Sequence, residues 1–135
     1  MTKISSMLLL NFSHPLTAAH IADIQRLLNN NAPIAVVDIP THINPAMEYA
    51  PEVVKLVDQA KLTRKEWQHT PILVNLPSYN HIAALVLAEM HGRMGYFPTV
   101  IRLRPIANVA PQQFEVAEVL NLQKKRDDAR AERNS

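Results

Sequence analysis

The sequence predicts an α/β domain: a mostly parallel sheet with helices on both faces and an antiparallel strand at its C-terminal end. Three observations predict it. Short apolar runs, Ile34 to Ile39 and Ile72 to Asn75 among them, alternate with segments of helical spacing, the pattern of a parallel sheet with right-handed crossovers. Each run stops at a polar residue or a proline. Between Pro105 and Gln113 there is no room for a crossover helix, so the last strand has to return antiparallel.

The first strand is expected over Ile4 to Asn11, where Met7-Leu8-Leu9-Leu10 gives a buried run that ends in Asn11-Phe12-Ser13-His14-Pro15. A helix follows from Thr17, a suitable N-cap, to Asn29, with Ile21, Ile24, Leu27 and Leu28 on one face. Ile34 to Ile39 is the second strand, halted by Pro40, with Asp38 near its end facing solvent or a partner. Thr41 to Ala50 has no periodicity and is read as a loop. Pro51 fits the first position of a helix whose buried face holds Val53, Val54, Leu56 and Val57. Thr63-Arg64-Lys65-Glu66 is a capping box for a short helical turn carrying Trp67. After the third strand, Ile72 to Asn75, Asn80 is placed as the cap of an apolar helix that Gly92 stops. Phe97 to Arg104 is the fourth strand, Phe114 to Asn121 the fifth, and Gln123 to Arg133 a charged helix or frayed tail. The expected layout is a Rossmann-like domain over residues 1–121 and a charged extension over 122–135.

Composition narrows the chemistry. The 135 residues form one domain with 47% hydrophobic and 19% charged residues, a globular balance. Fourteen basic and twelve acidic residues leave a formal charge of +2, with no concentrated basic face outside the tail, so duplex nucleic acid is not an expected partner. Cysteine is absent, which excludes disulfides, thiol catalysis and cysteine-held zinc. No segment reaches the ~20 apolar residues of a membrane span, and the N-terminus lacks a signal-peptide layout; the chain is read as cytoplasmic. Only Gly92 and Gly95 are glycines, so neither a phosphate-cradling P-loop nor a G-x-G-x-x-G turn exists. No G-x-S-x-G or H-E-x-x-H pattern occurs among the serines and six histidines. No metal, no cofactor and no catalytic residue is assigned.

In a parallel sheet the carboxyl ends of the strands share one edge, and ligands bind there. That edge should collect Asn11, Phe12, Ser13 and His14, then Thr41 and His42, then Asn75, Ser78, Tyr79 and Asn80, and finally Arg102 and Arg104. The helices that begin at Thr17 and Asn80 point their N-termini at the same edge, where phosphate is attracted. Two readings stand side by side: the Asn, Ser and Thr residues are helix caps, or they are ligands for a phosphodiester with exposed bases. His14 is a general acid, a phosphate ligand or a turn residue. Arg102 and Arg104 either line a phosphate site or form surface salt bridges.

The run Leu8-Leu9-Leu10-Asn11-Phe12-Ser13-His14-Pro15-Leu16 resembles the start of a small CRISPR-associated family, Csx-fifteen. Pro71 to Asn75, His91 to Gly95, Arg102 to Pro105 and Glu115 to Val119 are similar too, in the expected order over nearly the full chain. The resemblance implies a stand-alone CARF-like domain of type III CRISPR systems. Such proteins sense, degrade or sequester cyclic oligoadenylate messengers. The resemblance leaves open whether the ring is cleaved or held. Sequestration of cyclic tetra-adenylate is the expected function, because binding needs only helix ends and amides while the sequence offers no evident base–acid pair for cleavage. The alternatives are a metal-independent ring nuclease and a protein-interaction subunit that binds no nucleotide. A symmetric ligand implies a two-fold homodimer, with larger ligand-linked assemblies as a further expectation.

Overall fold

A computed structural model describes residues 6–134. Ten elements follow in order. Strand β1 spans Met7–Asn11 and helix α1 Ala18–Leu28; β2 spans Ile34–Asp38, α2 Tyr49–Asp58 and α3 Arg64–His69. Then come β3 (Ile72–Asn75), α4 (Asn80–Met94), β4 (Thr99–Pro105), β5 (Phe114–Asn121) and α5 (Leu122–Arg133). The expected start of the first strand at Ile4 lies outside the described residues.

The five strands form one sheet in the order β2-β1-β3-β4-β5. The first four run parallel, and β5 pairs antiparallel to β4. The architecture is therefore a mixed α/β sheet consistent with a Rossmann-like fold, as the alternation of runs predicts. Side chains alternate across each strand, and this sorts the core into two layers. Leu10, Ile72, Val74 and Val100 pack with Val53, Val57, Trp67, Val86 and Met90 of α2, α3 and α4. Met7, Leu9, Leu73 and Ile101 face the other way, onto Ile24 of α1.

The three-helix side is fastened by Arg93. Its Nε donates to Glu89 at 2.8 Å, its second amino group reaches Asp58 at 2.8 Å, and its guanidinium carbon lies 5.5 Å from the Trp67 ring centroid. Partial burial works against this charge, but the hydrogen bonds to Glu89 and Asp58 outweigh it and hold the guanidinium above its ordinary pKa. One cation thus ties α2, α3 and α4 together.

On the other side, α1 seals the sheet edge. Thr17 caps it through its hydroxyl, and His20 completes the capping box by accepting the Thr17 N–H at Nδ1, 3.0 Å away. That leaves the ring proton on Nε2, which donates to the Phe114 carbonyl at 2.9 Å. Asp23 accepts the Val116 N–H at 3.1 Å. These two side chains occupy backbone groups of the outermost strand, which would otherwise be open to pairing with another chain.

Several boundaries differ from the sequence reading. Helix α2 begins at Tyr49, so Pro51 is its third residue; the first-turn N–H groups have no intrahelical partner, and a missing one there costs nothing. The N-cap of α4 is Tyr79, and Asn80 is already helical, its own Oδ1 accepting the His81 N–H. Gly92 lies inside α4; the helix ends at Gly95, whose φ of 86° is the left-handed turn that favours glycine. Strand β4 starts at Thr99 rather than Phe97 and includes Pro105. A bulge places Ala117 as the extra residue of β5, since Arg102 pairs with Glu118 and Leu103 with Val116.

The two glycines should respond oppositely to alanine. Gly95→Ala puts a side chain on a left-handed backbone and is expected to cost about 1–2 kcal/mol. Gly92→Ala meets nothing within 4 Å of the new methyl group and removes backbone freedom from the unfolded helix, so it should add about 0.5–1 kcal/mol. Paired urea denaturation curves check both; a shared sign would contradict this assignment of the helix end.

Candidate functional site

Sheet register builds the floor of the site. Asn11 lies opposite Asp38 on one side and Asn75 on the other, so three polar side chains stand in a row at the carboxyl ends of three strands. Asn11 is 1% exposed and Asn75 7%, and burying amides at this depth is tolerated only when they are hydrogen-bonded. The Asn75 amide donates to Asn11 Oδ1 at 2.9 Å, and the Asn11 amide donates to Asp38 Oδ1 at 2.9 Å. Asn11 also donates to the His14 carbonyl at 2.9 Å, and its Oδ1 accepts the Ser13 N–H at 3.1 Å. With two bonds donated and two accepted, Asn11 has used its hydrogen-bonding capacity.

Above this floor lies a cavity of about 540 Å³, lined by Phe12, Ser13, His14, Thr41, His42, Pro77, Ser78 and Tyr79. Its size falls in the ~300–1,000 Å³ range of small-molecule sites. It lies among the β1–α1, β2–α2 and β3–α4 loops, beside the β1/β3 boundary where a doubly wound sheet of this order changes direction. Backbone bonds extend the ladder into the walls: Phe12 N–H donates to the Asn75 carbonyl at 2.9 Å, and Ile39 N–H to the Asn11 carbonyl at 2.8 Å. The Thr41 hydroxyl donates to Phe12 O at 3.0 Å, or to Ile39 O at 3.3 Å, and so joins the first two loops.

Of the twelve residues picked out in sequence, seven reach the wall: Phe12, Ser13, His14, Thr41, His42, Ser78 and Tyr79. Asn11 and Asn75 lie beneath it as the ladder. Asn80 sits one residue past the wall, with its Oδ1 turned to its own helix. Arg102 is not brought to the cavity. It stands on the β4–β5 ribbon, 3.3 Å from Glu118, while Arg104 meets Glu115 at 2.8 Å; of the two readings of these arginines, the surface ion pairs are what the structure shows. Sequence reasoning passed over Pro77, a wall residue, and the role of Asp38. The Asp38 partner lies 27 positions away, and only strand register could have revealed it.

The wall carries no Lys, Arg, Asp or Glu. Its polar groups are hydroxyls and the imidazoles of His14 and His42. Tyr79, 60% exposed, offers a flat face at the rim. The N-cap residue of α4, Tyr79, makes no side-chain cap, and Asn80 Oδ1 takes the His81 N–H; the positive end of a fifteen-residue helix starts at this wall. Among the described residues no cluster of His, Asp and Glu is placed to hold a metal ion, and no helix is long and apolar enough to cross a membrane. Fold and cavity together define a Rossmann-like α/β domain with a loop-lined pocket at the carboxyl edge of its sheet. No family model, curated protein or solved structure matches the chain.

Asn11→Ala strips partners from Asn75, Ser13, His14 and Asp38 together and is expected to cost about 3 kcal/mol. Asn75→Ala removes one bond and leaves Asn11 three; about 1 kcal/mol is expected. Urea titration of both variants gives the comparison. Equal costs would show that the ladder is not centred on Asn11.

Proposed function

We propose that this chain binds a cyclic oligoadenylate, cyclic tetra-adenylate in the first instance, in the 540 Å³ cavity and holds it out of circulation. The observation that carries the reading is the cavity's place and lining: the carboxyl edge beside the strand-order switch, with hydroxyls, imidazoles, an open aromatic ring and the start of α4. Phosphate oxygens find donors in such groups and in backbone N–H at a helix start. An adenine finds a stacking surface on Tyr79. The resemblance of the Asn11 to Leu16 run to the CRISPR-associated family supports the choice of ligand.

Holding asks less of the site than cleaving. Metal-independent ring opening needs a ribose 2′-hydroxyl in line with its phosphorus and a base to take the proton. Ser13 and His14 are sequence neighbours that share no hydrogen bond among the described residues, and Asn11 is committed to the ladder. Binding needs only the groups already at the wall. A ring of four nucleotides repeats by two-fold symmetry, so two protomers offering the same cavity would each take half of it. The protein then acts in the cytoplasm as a stoichiometric buffer, by mass action rather than turnover.

Excess protein mixed with radiolabelled cyclic tetra-adenylate should shift the label on a native gel, with intact ring on a denaturing gel. Tyr79→Ala should weaken binding about tenfold or more, the value of one lost base stack. Linear product that accumulates over many turnovers, and slows in His14→Ala, would make the protein a ring nuclease. Neither shift nor product with any ring size would leave the protein-interaction reading.

A further inference from the structure

Helix α5 is anchored at its first turn, where Leu122 packs against the core and Gln123 Oε1 accepts the Phe97 N–H at 2.9 Å. It contains no buried residue, and beyond Gln123 every described side chain on it is exposed. The other bonds that order it are local: the Asn121 side chain caps it by accepting the Lys124 N–H at 2.9 Å, and Lys124 pairs with Asp128 one turn on at 2.7 Å. Its charge is not evenly spread. Arg126, Arg130 and Arg133 recur at the spacing of one helix face, and Ala129 lies between them; together they form a shallow groove of about 320 Å³. Asp127, Asp128 and Glu132 fall on other sides of the helix. The helix as a whole is also where the chain's excess charge resides. Of fourteen bases and twelve acids in the chain, α5 holds five and three, which leaves nine of each elsewhere.

We infer that the α5 stripe is a docking site for the phosphodiester backbone of a single nucleic-acid strand. Charge complementarity is the argument. Seven residues of helix run ~10 Å, and each of the three arginines can take one phosphate of a strand laid along the stripe. A guanidinium matches a phosphate with two parallel donors, and the methyl group of Ala129 leaves the backbone room to approach between the arginines. The Arg126 pair with Asp127 at 2.9 Å is exposed on both sides, and such pairs are readily exchanged. A single stripe serves one strand; duplex binders present cations to both strands flanking a groove. Asn121, where α5 begins, pairs with Thr99 at the start of β4, so the helix leaves from the opposite edge of the sheet to the 540 Å³ cavity. The two sites are separate.

The test is fluorescence anisotropy of a labelled uridine 20-mer RNA with the full chain. Binding should fall about 20-fold between 50 and 200 mM salt, as three phosphate contacts on a single strand require. Arg126→Gln, Arg130→Gln and Arg133→Gln together keep helix propensity and should abolish most of this binding. Lys125→Gln with Lys61→Gln and Lys65→Gln, the same charge change off the stripe, should leave most of it. Cavity binding of the cyclic ligand should be unchanged in both. The inference is overturned if wild-type protein does not bind at 50 mM salt, if both variants lose binding equally, or if a duplex of the same length binds more tightly. Should the stripe variant lose its circular dichroism signal, the wild-type salt slope decides: a slope near zero overturns the site.

Discussion

One side-chain amide, that of Asn11, fixes the relation between the sheet and the loops above it. It bonds to the neighbouring strands through Asp38 and Asn75 and to its own following loop through Ser13 and His14. The net worth of each bond is modest, about 1 kcal/mol. The larger effect is on specificity. Slipping β1 by one residue against either neighbour would turn Asn11 to the opposite face and strand a buried amide in an apolar layer. Register, strand ends and the path of residues 12–15 are therefore set together, and the side chains of Ser13 and His14 inherit their position from that path.

The two faces of the sheet are supported unequally. Three helices and the Arg93 cluster cover one face, while α1 alone covers the other. Helix α1 lies toward β5, where His20 and Asp23 hold the edge, and this leaves the far strand more open; Val36 of β2 is 37% exposed. That exposed edge is blunted by length and charge instead, since β2 has five residues and ends at Asp38. The better-packed side carries α4, whose N-terminus forms part of the cavity wall. The pocket thus draws one wall from the start of α4, on the three-helix side, and another from the loop that leads into α1.

Much of this was legible in sequence because it depends on local pattern. Apolar runs cut off by Asn11, Pro40 and Asn75 mark strands that end at one edge, and that edge is where seven of the chosen residues line a cavity. What escaped was set by distant partners. Whether Gly92 or Gly95 stops α4 depends on which one the backbone turns left-handed, and both lie in suitable sequence. The reading of Asn11 and Asn75 as ligands failed to foresee that they would meet each other, 64 residues apart. Arg102 and Arg104 were placed near the edge by counting along β4, but β4 outruns β3: its last pairing with β3 is at Val100, while its pairing with β5 continues to Pro105. The arginines ride on that two-stranded extension with Glu118 and Glu115.

Formal charge is also divided between the ends of the molecule. The cavity wall carries no Lys, Arg, Asp or Glu, whereas the excess cations stand on α5. An anionic ligand in the cavity would be held by hydroxyls, imidazoles, backbone N–H groups and the α4 dipole. These act over short distances and from fixed positions, so they reward a ligand of matching shape. The arginines of α5 stand on long, solvated side chains whose attraction extends over a Debye length, about 8 Å at physiological salt, and weakens as salt rises. They reward charge density irrespective of sequence. Under the proposed function, keeping Lys and Arg out of the pocket favours selectivity, because a wall without them gives unrelated anions little to bind. The same cations, moved to the opposite edge, can act on a polyanion without competing for that pocket.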